Sequence, residues 1–316
     1  MQNSISYHFR QGFIRMSPPA KILLLIFLVL GFLLISSILG ILMAMPIFRM
    51  NMAEIYQVLS NPDAENLGLV KYFQIIQSVF LFLVPALIAA WLYSEHLPQY
   101  LQADKKPGAL SLLLVMLTLM LAIPFLNALA LFNSEMVLPQ WMHSLEVKIK
   151  SMEETAGRLT GLFLNGGNGF TLALNIFMIA LLPALGEEFL FRGVIQRLLT
   201  EWTTSKHVGV WIAAFIFSFI HFQFYGFLPR FLLGLYFGYL LVWTSCIWVP
   251  VTGHFINNGV AVLYYHFSTK PMGETNMDKL GTSKEYNYVL YISIISTVLL
   301  LIFTYMKEKE KKELSR

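Results

Sequence analysis

The chain has 316 residues, of which 57% are hydrophobic and 13% are charged, and its formal net charge is +4. Soluble domains carry about 25% charged residues, so this composition excludes a soluble globular protein and indicates a polytopic membrane protein. The charge is too small and too dispersed for a nucleic-acid-binding surface. The single cysteine, Cys246, excludes an internal disulfide framework.

Apolar segments that are long enough to cross a membrane recur along the whole chain. A stretch of about 18 or more residues with few charges is typical of such a segment. The sequence therefore predicts an all-α polytopic membrane helix bundle with about eight transmembrane helices. The predicted segments are Ile22–Met45, Tyr72–Tyr93, Leu110–Phe132, Phe170–Gly186 with a continuation through Glu187–Trp202, Val208–Tyr225, Phe231–Val249, Gly253–Phe267 and Tyr288–Met306. Pro250 and Gly253 mark the predicted break between the sixth and seventh helices.

Basic residues flank both ends of the predicted bundle. Arg10, Arg15 and Lys21 precede the first helix, and a lysine-rich segment that begins at Lys307 follows the last. Positively charged loops stay in the cytoplasm, and an even number of spans brings both termini to one side. Both termini are therefore predicted to be cytoplasmic, as in a multi-pass protein of a bacterial inner membrane. The 134–165 and 268–286 connections are predicted to lie outside.

Two adjacent carboxylates and an arginine stand at the end of the fourth apolar run. They are Glu187, Glu188 and Arg192 in the sequence Glu-Glu-Phe-Leu-Phe-Arg. On a helix, Glu188 and Arg192 share a face at i, i+4, in the order that favours an ion pair, whereas Glu187 is rotated away. Ionisable groups at membrane depth indicate function, although two charges at a helix end near the interface are the alternative for this segment alone.

Two further polar positions lie in apolar surroundings. His221 follows twelve uncharged residues, and on its own it could bond a backbone carbonyl across the bundle. His254 and Asn258 share a helix face at i, i+4, while Asn257 at i+3 is so close that geometry does not choose between the two asparagines. A carboxylate, two imidazoles and a carboxamide on three helices together indicate activation of water, and hence an intramembrane hydrolase.

These residues resemble the CPBP family of intramembrane proteases, also called the CAAX-protease and bacteriocin-processing or Abi family. Its pattern of Glu-Glu-x-x-x-Arg, Phe-x-x-x-His and His-x-x-x-Asn is matched here, in order, by 187–192, 217–221 and 254–258. The resemblance covers roughly residues 170–268. The first 165 residues show no family signature. The predicted regions are an N-terminal membrane region at 1–165 with three helices and a long external loop, a catalytic core at 166–270 that resembles the family, and a last helix with a basic cytoplasmic tail at 271–316.

The resemblance also implies a role for each polar residue. Glu187 would be the general base, acting on a water molecule held between it and His221. His254 and Asn258 would donate hydrogen bonds to the tetrahedral oxyanion, so the match selects Asn258 over Asn257. Glu188 and Arg192 would hold the helix end in place.

The need for a metal is left open by the sequence. Glu187, His221 and His254 would make a plausible His₂Glu zinc site. His254, however, is paired with a carboxamide, which is a natural hydrogen-bond donor and a poor zinc ligand. A mechanism without a cofactor is therefore predicted, with zinc as the alternative.

The expected partners are a peptide or membrane-tethered protein substrate and membrane lipids, with no nucleic acid. An alternative function is that of a non-catalytic membrane protein of the same fold, acting in bacteriocin immunity or as a scaffold. Such a protein needs no water-activating carboxylate. A small transporter would be expected to show internal repeats and paired broken helices, and the sequence shows neither.

Overall fold

Helices joined by short turns form the computed structural model, which describes residues 10–164, 167–268, 276–282 and 287–314. These residues contain no strand. The helices are α1 (Pro18–Phe48), α2 (Met52–Ser60), α3 (Leu67–Tyr93), α4 (Leu97–Tyr100), α5 (Ala109–Ser134), α6 (His143–Leu164), α7 (Gly169–Thr203), α8 (Lys206–Phe219), α9 (Phe227–Thr244), α10 (Trp248–Phe267), α11 (Asn276–Lys279) and α12 (Asn287–Leu314). Single turns of 3₁₀ helix lie at Gln140–Met142 and Phe224–Gly226.

Six helices of the described residues are long and apolar enough to cross a membrane. They are α1, α3, α5, α7, α12 and α9 together with the turn before it. The apolar helix α8 has 14 residues and is too short for a full span, and α10 corresponds to the seventh predicted helix. The predicted all-α membrane bundle is confirmed, and about eight helices is compatible with these elements.

Two predicted helix boundaries are wrong. The break before α10 lies at Ser245–Ile247 rather than at Pro250, because Ser245 takes a left-handed conformation with φ 51° that ends α9. Pro250 instead lies in the first turn of α10, where a missing N–H removes no helical hydrogen bond. The fifth predicted helix was extended to Tyr225, but α8 ends at Phe219.

The connection at 134–165, predicted as a long external loop, contains the 22-residue helix α6. The Tyr225 backbone N–H donates to Glu153 Oε2 of α6 at 3.1 Å. The Asn175 side chain of α7 donates to the carbonyl of Phe163, at the end of α6, at 2.6 Å. Helix α6 therefore packs on the turn that follows α8 and on the start of α7. The predicted region boundaries at 165/166 and 270/271, and most of the 268–286 connection, lie outside the described residues.

Helix α7 carries the two carboxylates near its middle. Its 35 residues span about 50 Å at 1.5 Å per residue, which exceeds the ~30 Å hydrocarbon thickness of a bilayer. Gly186 lets α3 approach at this point, since an added Cβ would lie 3.0 Å from Phe82 Cβ and 3.3 Å from Leu83 N. Close packing against α3 therefore fixes α7 directly before Glu187.

Basic residues from the α4–α5 connection and from the end of α12 meet at one end of the bundle. Lys105, Lys106, Lys311 and Lys312 line a cavity of about 180 Å³ there. The N-terminal segment reaches the same end, because Gln11 donates to Glu95 Oε1 at 3.0 Å. The structure thus gathers at one end the positive charges on which the predicted orientation rests.

We predict that this basic end faces the cytoplasm, because positively charged loops resist translocation. Alkaline phosphatase fused after Arg316 should be inactive, and green fluorescent protein at the same position should fluoresce. As the matched control, phosphatase inserted at Val137, at the opposite end of α5, should be active. Active phosphatase after Arg316 would contradict the topology.

Candidate active site

The two adjacent carboxylates occupy the short α-helical part of α7 between two π-helical segments. These segments are Ile176–Leu181 and Phe189–Ile195. Local π-helix is rare and is found frequently at functional sites. Glu187 is 8% exposed and Glu188 is fully buried. Burial of two acids in an apolar bundle requires partners that offset the loss of hydration.

One oxygen of Glu188 accepts two hydrogen bonds. Its Oε1 accepts from Arg192 Nη1 at 2.8 Å and from His254 Nδ1 at 2.8 Å. The i, i+4 ion pair predicted from the sequence is therefore present, and both of its members are buried. The bond to His254 joins α7 to α10, a contact that the sequence did not predict. Since a carboxylate only accepts, Nδ1 of His254 carries the hydrogen, which fixes the orientation of the ring.

Arg192 is enclosed on its remaining sides by α8 and α9. Its Nη2 donates to the carbonyl of Gly234 at 3.2 Å. The guanidinium carbon lies 4.6 Å from the ring centroid of Phe217 and 5.6 Å from that of Phe237, within the range of cation–π attraction. The Phe237 ring also stacks on His254, with centroids 5.5 Å apart. The charge of Arg192 is thus held by an anion, a carbonyl and two aromatic faces.

Gly234 and Gly238 allow α9 to pack closely on its neighbours. A Cβ added at Gly234 would lie 3.1 Å from Ala214 Cβ, and one added at Gly238 would lie 2.8 Å from Gln196 Oε1. Both glycine carbonyls accept from α7, since the Gln196 side chain donates to Gly238 O at 3.2 Å. The four-residue spacing of Arg192 and Gln196 on α7 therefore matches that of the two glycines on α9.

Glu187 is the carboxylate outside this ion pair. Its Oε2 lies 3.9 Å from Nε2 of His254, which is the ring nitrogen that faces away from Glu188. Its carboxylate makes no hydrogen bond to a described residue. The structure therefore brings Glu187 and His254 together and leaves the oxygens of Glu187 available for a further partner.

His221 lies in the turn after α8 rather than inside a helix. Its Nδ1 donates to the carbonyl of Phe217 at 2.7 Å. His221 therefore bonds a backbone carbonyl, as the sequence allowed, but this carbonyl belongs to the last turn of α8 and not to another helix. Nε2 is then the acceptor of the neutral ring. The Phe217 ring packs against both imidazoles, with centroid distances of 5.0 Å to His221 and 6.3 Å to His254.

Asn258 connects α10 to the first π-helical segment of α7. Its Nδ2 donates to the carbonyl of Ile179 at 3.0 Å. Pro183 has no N–H, so the Ile179 carbonyl four residues earlier lacks its usual α-helical donor. Asn257 Nδ2 donates to Asn258 Oδ1 at 3.1 Å and so orients the Asn258 amide. One of the two Nδ2 hydrogens of Asn258 remains for another acceptor.

Arg230 is a residue of this region that the sequence interpretation missed. Its Nη2 donates to Gln223 Oε1 at 2.6 Å, in the connection between α8 and α9 that also carries His221. The signal was available, because Arg230 is the sole Asp, Glu, Lys or Arg between Lys206 and Lys270. A lone charge in an apolar run of that length indicates function by the same argument that selected Glu187.

The zinc alternative named Glu187, His221 and His254 as ligands. Across the part of the chain that the structure describes, no group of three or more His, Cys, Asp or Glu side chains is arranged to hold a metal ion. Nδ1 of each histidine is bonded to a protein acceptor, which leaves the two Nε2 atoms unbonded. The mechanism without a metal stays a prediction, and zinc stays the alternative.

Comparison with known proteins places the resemblance on the segment that carries the three motifs. Residues 169–260 match the family model described as "Type II CAAX prenyl endopeptidase Rce1-like". The resemblance predicted from the motifs is confirmed for these residues. The chain is also 33% identical over 97 residues to "Uncharacterized protein YpbD" of Bacillus subtilis (strain 168). That alignment covers 29% of this chain and 47% of the relative, and no solved structure matches significantly.

We predict that breaking the buried ion pair destabilises the bundle. Arg192→Ala leaves Glu188 buried without its cation, which should lower the free energy of unfolding by roughly 3–5 kcal/mol. Glu188→Gln should also destabilise and should in addition release His254. Glu201→Gln is the matched control, because Glu201 pairs with Arg197 at i, i+4 in the same helix but is exposed, so its loss should cost less than about 1 kcal/mol.

Thermal unfolding in detergent, measured for the three variants side by side, tests this. Equal melting temperatures for Arg192→Ala and Glu201→Gln would show that the buried pair does not stabilise the fold.

Proposed function

We propose that this chain is an intramembrane endopeptidase that hydrolyses a peptide bond of a peptide or membrane-tethered protein substrate, as the CAAX-type family match suggests. The observation that carries the proposal is the separation of the two carboxylates. Glu188 is fixed by Arg192 and His254, whereas Glu187 lies beside His254 with its oxygens unoccupied by described residues. A fixed acid for structure and a free acid for chemistry are what a general-base hydrolase requires.

Glu187 acts as the general base in this mechanism. It takes a proton from a water molecule while the water oxygen attacks the carbonyl carbon of the scissile bond. Nε2 of His221 is the acceptor that holds the second hydrogen of this water, because its Nδ1 is occupied by Phe217. When the C–N bond breaks, the proton on Glu187 passes to the leaving amine, and the carboxylate is restored.

His254 and Asn258 stabilise the oxyanion of the tetrahedral intermediate. Nε2 of His254 donates when both ring nitrogens carry hydrogens, while Nδ1 remains bonded to Glu188. Asn258 donates its remaining Nδ2 hydrogen. Both donors are held in advance by other protein groups, so little reorganisation is needed as charge develops.

We predict that Glu187→Gln abolishes turnover without destabilising the protein. Glutamine keeps the size of the side chain but removes the base, and general-base catalysis contributes typically 10²–10⁴-fold. The measurement is cleavage of a quenched fluorescent peptide library by purified protein, with the melting temperature recorded in parallel. Glu201→Gln, in the same helix at its exposed end, is the control and should retain turnover. Substantial turnover by Glu187→Gln would overturn the assignment of the base.

We also predict that turnover survives removal of divalent metals, because no group of three or more His, Cys, Asp or Glu side chains among the described residues is arranged to hold a metal ion. Protein treated with a strong zinc chelator and desalted should cleave the same library at the untreated rate. Loss of activity on chelation, with recovery on addition of zinc, would establish the zinc alternative.

A further inference from the structure

Arg230 lies in the first turn of α9. Among the described residues, only one of its two terminal guanidinium nitrogens has a hydrogen-bond partner. Its Nη2 donates to Gln223 Oε1 at 2.6 Å. Its Nη1 is buried and has no hydrogen-bond partner among the described residues. A buried donor left unpaired costs free energy, so an acceptor that binds Nη1 would be stabilising.

The charge of Arg230 is also without a close counter-ion. No carboxylate of the described residues lies within ion-pair distance of it. The contrast is Arg192, whose guanidinium is paired with Glu188 at 2.8 Å. One arginine of the site is paired with a carboxylate of the protein, and the other has no carboxylate of the described residues within ion-pair distance.

The surroundings hold the Arg230 guanidinium in place. It packs on the turn before α9, where a Cβ added at Gly226 would lie 3.3 Å from Nη2 and 3.6 Å from Nη1. That turn is tied to α6 through the bond from the Tyr225 N–H to Glu153. The guanidinium is therefore preorganised, which lowers the cost of binding a ligand.

We propose that Arg230 binds a carboxylate of the peptide substrate, an inference that rests on the proposed peptidase function. The planar guanidinium matches a carboxylate in shape and charge, and Nη1 supplies the first hydrogen bond. Gln223, which accepts from Arg230, lies two residues after His221 in the connection between α8 and α9, so a carboxylate bound there would lie near the proposed water site. The carboxylate has two possible sources, the C-terminus of the substrate or an Asp or Glu side chain.

The test measures binding to the Glu187→Gln protein, which holds a substrate without cleaving it. The probes are four fluorescent hexapeptide pools, with either a free or an amidated C-terminus and with or without one glutamate. Fluorescence anisotropy is measured in detergent. Pools that carry the recognised carboxylate, either the free C-terminus or the glutamate, should bind about 10- to 100-fold more tightly than the pools that lack it. Introducing Arg230→Gln should remove this difference.

Three comparisons make the result specific. Arg230→Lys keeps the charge but loses the planar fork, so it should retain part of the preference and should fold if Arg230→Gln does not. Arg197→Gln is the control and should leave the preference unchanged, because Arg197 lies near the C-terminal end of α7 and is paired with Glu201. A preference that follows the amide change assigns the C-terminus, and one that follows the glutamate assigns a side chain.

Equal binding of all four pools, or a preference that persists in Arg230→Gln, would overturn the inference. So would a fall in kcat that is equal for all pools in Arg230→Gln with Glu187 intact, since that would assign Arg230 to the transition state. Cleavage of the same pools by the wild-type protein tests the proposed function separately, because binding to Glu187→Gln requires no turnover.

Discussion

The site depends on one buried interaction, the acceptance of both Arg192 and His254 by a single oxygen of Glu188. Each of the three groups would be costly to bury alone, and removal of one leaves the others uncompensated. The trio also spans the fold, because Glu188 and Arg192 belong to α7 and His254 belongs to α10, while Arg192 reaches the Gly234 carbonyl of α9. Electrostatics therefore sets the register of three helices at the depth where the candidate chemistry takes place.

Two glycines of α9 allow the close helix packing that this register requires. Gly234 and Gly238 have no Cβ, and any Cβ there would collide with α8 or with Gln196. Their carbonyls are consequently within reach of Arg192 and Gln196, which lie one helical turn apart on α7. In a bilayer, helices are driven together by close packing and polar contacts more than by the hydrophobic effect, so small residues next to a buried arginine serve both requirements.

The sequence predicted the elements and the ion pair well, because hydrophobic length and i, i+4 geometry are local properties. Ser245, which ends α9 in a left-handed conformation, carried no strong signal, whereas Pro250 carried a misleading one that its place in the first turn of α10 explains. The bond between Glu188 and His254 joins residues 66 positions apart, and no local pattern encodes it. Arg230 was missed for a different reason, since it is isolated in the sequence but lies one residue before the predicted helix Phe231–Val249.

The same interactions argue for a hydrolase over a transporter. A transporter needs two arrangements of its helices around a central site, with little free-energy difference between them. Here the ion trio, the Asn258 bond to the Ile179 carbonyl and the two glycine contacts all stabilise one arrangement. Separation of α7 from α10 would leave His254 without its acceptor and Glu188 with Arg192 as its remaining partner. Rigidity of this kind suits preorganised donors, which stabilise developing charge because they need not move. In the proposed mechanism, Glu187 is then the acidic group that exchanges a proton.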